Sequence, residues 1–267
     1  MKKFKFRNFE KGVYILPNLM TTAAVFCSFY AMISAINGKI YYAAIAIIVA
    51  MIFDGLDGRI ARMMNATSNF GLQLDSLADA VSFGVAPALI IYAYVLDGYD
   101  RLGWLAAFLF VICALLRLAR FNIQDPELAT KEFVGLPAPG AAGFMVITII
   151  MTEDYFGLEN VPDFFFLVLT YVLAFLMVSN IPYESFKRMQ KLNRRSFPVF
   201  LGVLLTIYLF AVIPQIFLFV FGIYYVFTSP LLWLYKKIIK KEGTTPEPDE
   251  ALEESKDESD ENTDIKQ

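Results

Sequence analysis

The chain has 267 residues, of which 57% are hydrophobic, and it carries a formal net charge of −3 with no histidine. Soluble domains of this length are usually less apolar, and apolar runs of about 18 residues recur along this sequence, as in membrane-spanning helices. Both cysteines, Cys27 and Cys113, lie inside such runs, which argues against a disulfide framework. The composition therefore excludes an ordinary soluble domain and predicts an all-α polytopic membrane protein.

Residues 1–14, "MKKFKFRNFEKGVY", alternate basic and aromatic side chains. No short apolar core with a small-residue cleavage site follows, so a cleavable signal peptide is not indicated. The pattern favours an amphipathic segment that lies on the cytoplasmic face of the membrane.

Eight apolar segments follow, and together they define a predicted transmembrane domain over residues 15–235. The fifth segment is short for a lipid-spanning helix, and the last two are separated only around Pro214. The predicted spans are 15–36, 40–58, 78–96, 103–121, 138–152, 164–181, 197–212 and 215–235.

The basic residues are distributed unequally between the two sides of these spans. If the N-terminus is inside, 19 of the 23 lysines and arginines fall in inner segments, whereas the outer loops hold Lys39 and Arg101. This asymmetry predicts that both termini are cytoplasmic. We therefore expect an integral protein of the cell membrane.

Residues 236–267 change in character from basic to strongly acidic. From Glu242 onward the sequence has eleven acidic residues, two lysines and no aromatic residue. Such a segment cannot bury enough apolar surface to fold. It predicts a disordered cytoplasmic tail.

Between the second and third apolar runs lies the stretch "DGLDGRIARMMNATSNFGLQLDSLAD", residues 54–79. Helical spacing places Asp54, Gly58 and Arg62 on one side of the second span, and Gly71, Asp75 and Asp79 form a stripe at the start of the third. Asp57 lies beside the first group. If the loop between them turns the chain back, four carboxylates converge.

Four adjacent carboxylates near a bilayer repel one another strongly, unless divalent cations lie between them. Oxygen-only ligands suit Mg²⁺ or Mn²⁺, and two such ions form a clamp for phosphoryl transfer. Arg62 can bind a phosphate, and Gly58 and Ala61 leave room for a ligand. Without histidine, a carboxylate must act as the general base, and Asp79 is the natural candidate. The alternative is that these charged residues only cap helices or lie on the surface of an inner loop.

The stretch resembles the CDP-alcohol phosphatidyltransferase family, whose motif D-x2-D-G-x2-A-R-x8-G-x3-D-x3-D it matches at every fixed position. The resemblance implies a core of six transmembrane helices, usually in a homodimer, and two divalent cations at the nucleotide diphosphate. It implies that four aspartates are metal ligands and that Asp79 also takes the proton from the attacking alcohol. The matching positions are Asp54, Asp57, Gly58, Ala61, Arg62, Gly71, Asp75 and Asp79.

The same resemblance implies a set of residues that contact CDP-diacylglycerol. Part of this set comes from the motif, and part from the N-terminal stretch "LPNLMT", residues 16–21. The implied contacts are Gly58, Ala61, Arg62, Ser68, Gly71, Asn18 and Thr21.

Two further stretches, "RLARFN" at residues 117–122 and "FVGLPAPGAAG" at residues 133–143, resemble the phosphatidylserine synthase branch of the family. This implies that L-serine attacks CDP-diacylglycerol to give phosphatidylserine and CMP. Arg117, Arg120 and Asn122 are the candidate serine-binding residues, and we expect Arg120→Ala to raise the serine KM. The arginines could instead merely anchor a helix end.

Two kinds of alternative stay open at this stage. Within the family, the acceptor could be glycerol 3-phosphate or inositol phosphate, because their phosphates would also attract arginine. From a different class, a transporter or channel could use carboxylates as ion sites, although here the charges cluster at one face. A non-catalytic lipid-binding scaffold is a weaker possibility. No nucleic-acid partner is expected.

Overall fold

The computed structural model describes residues 15–64, 68–123, 133–183 and 197–242. The predicted N-terminal amphipathic segment and the acidic residues 243–267 lie outside these ranges. The described residues form eight helices: α1 Ile15–Ile36, α2 Ile40–Met63, α3 Asn69–Tyr94, α4 Asp100–Asn122, α5 Ala138–Met151, α6 Asp163–Val178, α7 Phe197–Val212 and α8 Pro214–Glu242.

The predicted all-α membrane fold is confirmed, but the predicted count of about eight membrane spans is not. Among the described residues, five helices are long and apolar enough to cross a membrane. Helices α5, α6 and α7 have 14, 16 and 16 residues, which is short for a helix that crosses a membrane. The five candidate spans are Ile15–Ile36, Ile40–Met63, Asn69–Tyr94, Leu96–Asn122 and Pro214–Tyr235.

The helices around the aspartate stretch are longer than the predicted spans. Helix α2 continues to Met63 instead of stopping at residue 58, and α3 begins at Asn69 instead of residue 78. Ser68 caps α3, because its hydroxyl accepts a hydrogen bond of 3.0 Å from the Gly71 backbone N–H. Hydropathy marks only the lipid-facing part of a helix, and these polar turns extend beyond it.

Helix α3 changes its winding directly after Asp79. Its first part, Asn69–Asp79, is α-helical, Ala80–Val85 is π-helical, and the α-helix resumes at Ala86. Pro87 has no backbone N–H, and its ring crowds the carbonyl four residues earlier, so a local widening relieves the conflict. The irregular segment thus adjoins the predicted site.

Helices α1 and α2 pack through small side chains. The buried face of α1 consists of Pro17, Thr21, Ala24, Ser28, Ala31, Ser34 and Ala35. That of α2 consists of Ala43, Ala44, Ala46, Ile47, Ala50 and Asp57. Small residues let two helix backbones approach closely. This close approach brings the start of α1 against the end of α2.

Helix α5 lies at the centre of the core. Eleven of its 14 residues are buried, including Phe144, Met145 and Ile149. Because protein surrounds this helix, its length does not have to match the thickness of the lipid. Phe133–Val134 (β1), just before α5, and Pro182–Tyr183 (β2), just after α6, pair as a two-stranded antiparallel sheet.

The chain divides into two compact units, Met1–Ser229 and Pro230–Gln267. The first contains every predicted site residue. In the second, the Lys237 ammonium lies 4.9 Å from the centre of the Trp233 ring. Helix α8 continues through residues 236–242, which the sequence pattern assigned to the tail. The domain boundary at residue 235 stays a prediction.

Candidate active site

Three of the four predicted metal-binding aspartates come together between α2 and α3. Asp54 and Asp57 lie near the end of α2, and Asp75 lies in the first turns of α3. One carboxylate oxygen from each lies within 4.8 Å of the other two. The helical spacing explains part of this convergence, because residues three apart, such as Asp54 and Asp57, lie on the same side of a helix.

Asp57 is the most enclosed carboxylate of the three. It is 5% exposed, and the Thr21 hydroxyl donates a hydrogen bond of 2.6 Å to its Oδ2 atom. The same hydroxyl lies 3.2 Å from the Pro17 carbonyl, a second acceptor within α1. Sequence reasoning assigned Thr21 to the substrate and did not anticipate its contact with a carboxylate.

Asp79 lies one turn beyond Asp75, outside the group of three. Its carboxyl group is within hydrogen-bonding range of the Asp54 side chain. Its Oδ1 atom is buried and has no hydrogen-bond partner among the described residues. A buried acceptor without a partner is costly. This atom is therefore placed to receive a proton or a ligand that the protein itself does not supply.

The side-chain oxygen atoms of these three aspartates suit hard divalent cations. All the side-chain donors in the group are carboxylate oxygens, which Mg²⁺ and Mn²⁺ prefer. Carboxylates this close repel one another when no cation compensates their charge. No histidine or cysteine belongs to the group of three, so the chemistry of the site does not suit zinc.

A cleft of about 350 Å³ opens beside the carboxylates. All seven residues predicted to contact CDP-diacylglycerol line it, together with Pro17, Asp57, Leu72 and Asp75. The structure thus brings the whole predicted set to one place. Their roles in substrate binding stay predictions.

Two glycines shape this cleft in different ways. A Cβ atom added at Gly58 would meet nothing within 4 Å, so the missing side chain leaves open space. A Cβ atom at Gly71 would lie 3.2 Å from Ser68 Oγ and 3.4 Å from Asn18 Oδ1. Gly58 therefore provides room for a ligand, whereas Gly71 permits tight packing between α1 and the N-terminus of α3.

Arg62 lies at the exposed edge of the cleft. Its Nε atom donates a hydrogen bond of 2.9 Å to the Gly58 carbonyl oxygen, one turn earlier in α2. This bond fixes the base of the guanidinium group beside the space left by Gly58. The arrangement suits recognition of a phosphate at the mouth of the cleft.

The three candidate serine-binding residues have different surroundings. Arg120 donates a hydrogen bond of 2.9 Å from Nη1 to Asn180 Oδ1. Asn122 pairs with Ser76, with its Nδ2 atom 3.1 Å from the serine Oγ. The sequence predicted neither partner, because each contact joins residues that are distant in the sequence.

Arg117 lies within electrostatic range of the candidate site, because the negative charge of Asp79 acts on its guanidinium group. Its Nε atom is buried and has no hydrogen-bond partner among the described residues.

Comparisons with known proteins agree with the motif. A sequence model of the CDP-alcohol phosphatidyltransferase family matches residues 14–182. A Helicobacter pylori protein named CDP-diacylglycerol--serine O-phosphatidyltransferase is 39% identical over 223 residues, which cover 84% of this chain and 92% of that protein.

Two more distant relatives extend the comparison. A Bacillus subtilis protein of the same name is 35% identical over 173 residues, covering 65% of this chain and 92% of that protein. An archaetidylserine synthase of Methanothermobacter thermautotrophicus is 35% identical over 170 residues, covering 63% of this chain and 69% of that protein. Because the match to the family spans more than half of the sequence, this chain belongs to the CDP-alcohol phosphatidyltransferase family.

Proposed function

We propose that the protein transfers the phosphatidyl group of CDP-diacylglycerol to the hydroxyl of L-serine, giving phosphatidylserine and CMP. The observation that carries this proposal is the placement of three carboxylates, within 4.8 Å of one another, against a cleft lined by every predicted nucleotide-lipid contact. The names of the relatives from Helicobacter pylori and Bacillus subtilis support serine as the acceptor.

The cleft would bind the cytidine diphosphate portion, with the diacylglycerol tails in the bilayer. Gly58 supplies open space beside α2, and Arg62 supplies a cation at the edge. Asp54, Asp57, Asp75 and Asp79 would hold two divalent cations, Mg²⁺ or Mn²⁺. When bound, such ions polarise phosphate oxygens and neutralise the charge that develops on the departing CMP.

Asp79 would act as the general base. The serine hydroxyl oxygen forms a new bond to the phosphorus atom that carries diacylglycerol, and the bond from that phosphorus to the CMP oxygen breaks. The hydroxyl proton goes to the Asp79 carboxylate, whose buried Oδ1 has no hydrogen-bond partner among the described residues. A positioned carboxylate of this kind typically contributes about 10²- to 10⁴-fold to the rate.

The acceptor carboxylate requires a cation near Asp79. Arg117 is that cation in this proposal, because its guanidinium group interacts with Asp79 and retains a buried, unpaired Nε among the described contacts. Arginine can bind a carboxylate through two parallel hydrogen bonds. Arg120 and Asn122 would then support the helix ends through Asn180 and Ser76.

The deciding experiment offers three acceptors to the purified protein. CDP-diacylglycerol is supplied with radiolabelled L-serine, glycerol 3-phosphate or inositol phosphate, and both labelled lipid and released CMP are measured. We expect label from serine alone, with CMP released in equal amount. Label from another acceptor would assign a different head group, and absence of CMP release would favour a transporter or a scaffold.

The cellular arrangement is part of the same proposal. The unequal distribution of lysine and arginine supports a cytoplasmic site and cytoplasmic termini in the cell membrane. The family resemblance supports a homodimer. Labelling of single introduced cysteines in intact cells and light scattering in detergent would test these two expectations.

A further inference from the structure

We infer that the C-terminal end of helix α8 is a binding surface for the anionic head groups of membrane lipids. Its contact residues form a lysine stripe, which consists of Lys236, Lys237, Lys240 and Lys241. The stripe lies beyond the residues 14–182 that match the family. None of the four lysines belongs to the candidate active site, so the inference holds whatever acceptor the enzyme uses.

Helix α8 continues past its membrane-spanning part. The candidate span covers Pro214–Tyr235, whereas the helix ends at Glu242. The lysine stripe therefore occupies the first two turns after the span, within about 9 Å along the helix axis. A charge at this height lies within about one Debye length of the lipid head groups, so salt screens its attraction to them only in part.

The end of α8 has one basic side and one apolar side. Trp233 and the four lysines recur at spacings of three and four residues, so helical geometry places them along one side. The same geometry places Leu231, Ile238 and Ile239 on the opposite side. A helix segment of this kind suits the boundary between acyl chains and head groups.

Two aromatic residues mark the level of the membrane boundary on this helix. Trp233 and Tyr235, at the end of the candidate span, are 38% and 63% exposed. Tryptophan and tyrosine are enriched at the level of the head groups. The Lys237 ammonium lies 4.9 Å from the centre of the Trp233 ring, in range of a cation–π contact. This contact ties the lysine stripe to a residue of the boundary.

The charge of this segment has one sign. From Pro230 to Lys241 the sequence contains four lysines and no acidic residue. Each lysine beside an anionic membrane surface typically strengthens the attraction about fivefold. Four lysines within six residues should therefore select anionic lipids over zwitterionic ones, whose head groups carry no net charge.

The acidic residues that follow are the rival ligand for the lysine stripe. Residues 243–267 contain ten acidic residues and two lysines, so their charge also complements the stripe. We favour lipid because α8 itself carries the stripe to the membrane surface, where head groups are abundant. An anionic surface there would repel the acidic residues.

Trp233 supplies the measurement. The chain has two tryptophans, so Trp104→Phe leaves Trp233 as the only indole in the full-length protein. This protein is reconstituted in phosphatidylcholine vesicles with a small proportion of lipid whose brominated acyl chains quench tryptophan fluorescence on contact. The brominated lipid is phosphatidylglycerol in one series and phosphatidylcholine in the other. We expect phosphatidylglycerol to associate around Trp233 about three- to tenfold more strongly, with a smaller excess at high salt.

Three variants control this measurement. Trp233→Phe keeps Trp104, which is 50% exposed at the start of α4, and the two lipids should quench that residue equally. Replacing all four lysines with glutamine in the Trp104→Phe protein should abolish the preference for phosphatidylglycerol. Replacing them with arginine should preserve it, because the charge is retained. Thermal melting checks that each variant is folded.

Two results would overturn the inference. The first is equal quenching of Trp233 by the two brominated lipids at low salt, and the second is a preference that survives the change to glutamine. The acidic residues are tested in the full-length chain by changing those of residues 243–267 to their amides. A preference for phosphatidylglycerol that appears only after this change would identify them, and not lipid, as the ligand of the stripe.

Discussion

The Thr21 hydroxyl donates a hydrogen bond of 2.6 Å to Asp57, and this contact joins the first helix to the second at the wall of the cleft. Asp57 is 5% exposed, so water cannot readily replace this donor. The bond orients one carboxylate of the group of three. A residue of α1 thereby fixes the geometry of a candidate metal ligand on α2.

Thr21→Val should therefore weaken cation binding while preserving the shape of the side chain. A hydrogen bond to a charged group contributes about 1.5–3 kcal/mol, so we expect the cation concentration for half-maximal activity to rise roughly ten- to hundredfold. Thr21→Ser, which keeps the hydroxyl, should behave like the parent. A valine variant with unchanged cation dependence would show that Thr21 does not support Asp57 in this way.

Asp57→Asn should abolish the response to divalent cations. Losing one carboxylate from the group removes charge that the cations require, and we expect turnover to fall on the order of a thousandfold. Thermal melting offers a readout independent of activity, since Mg²⁺ or Mn²⁺ should stabilise the parent but not this variant. Asp100→Asn changes an exposed aspartate at the start of α4 and should respond to cations like the parent.

Asp79→Asn should impair proton transfer more than cation binding by the group of three carboxylates. Asp79 lies outside that group, so the variant should retain the stabilisation that comes from a cation held by Asp54, Asp57 and Asp75. It cannot accept a proton, and we expect turnover to fall about 10²- to 10⁴-fold. Comparable turnover in the variant and the parent would remove Asp79 from the role of base, whatever the melting data show.

Gly58→Ala should impair substrate binding without harming the fold. The added methyl group meets no protein atom within 4 Å, and alanine favours a helix over glycine by about 1 kcal/mol. It would, however, occupy the cleft, so the KM for CDP-diacylglycerol should rise about tenfold or more while the melting temperature holds or increases.

Gly55→Ala provides the control for Gly58, because its added methyl group also meets nothing within 4 Å and Gly55 does not line the cleft. The two variants should gain similar helix stability. Equal effects of both substitutions on the KM would contradict the proposed position of the substrate.

The convergence of the carboxylates could be predicted from the sequence, because it depends on the spacing of residues within single helices. Asp54, Gly58 and Arg62 are spaced by one helical turn, as are Gly71, Asp75 and Asp79, and this spacing fixes which side of a helix each occupies. The limits of α2 and α3 were less predictable. Hydropathy indicates only the apolar, lipid-facing part of a helix. The polar first turns of α3, capped by Ser68, begin nine residues before the predicted span.

The contacts that join distant elements could not be read from the sequence. Thr21 meets Asp57 because small residues bring α1 and α2 together, and Arg120 meets Asn180 across 60 positions. Neither pairing has a local pattern.

Arg117→Gln and Arg120→Gln should distinguish the two candidate acceptor residues. Arg120 already donates to Asn180, whereas Arg117 interacts with Asp79 and has a buried Nε without a hydrogen-bond partner among the described residues. Loss of a charged hydrogen bond to serine should raise the serine KM roughly ten- to hundredfold in Arg117→Gln. In Arg120→Gln the rise should stay within about threefold, contrary to the expectation from sequence.

Asn180→Ala is the matched control for Arg120, because it removes the other partner of the same hydrogen bond. If Arg120 acts only through this bond, both variants should lose similar thermal stability and keep a serine KM near that of the parent. A large increase in the serine KM for Arg120→Gln, without one for Asn180→Ala, would instead place Arg120 at the acceptor. Since both arginines carry the same charge on one helix, this contrast depends on their contacts and not on the electrostatics of the membrane face.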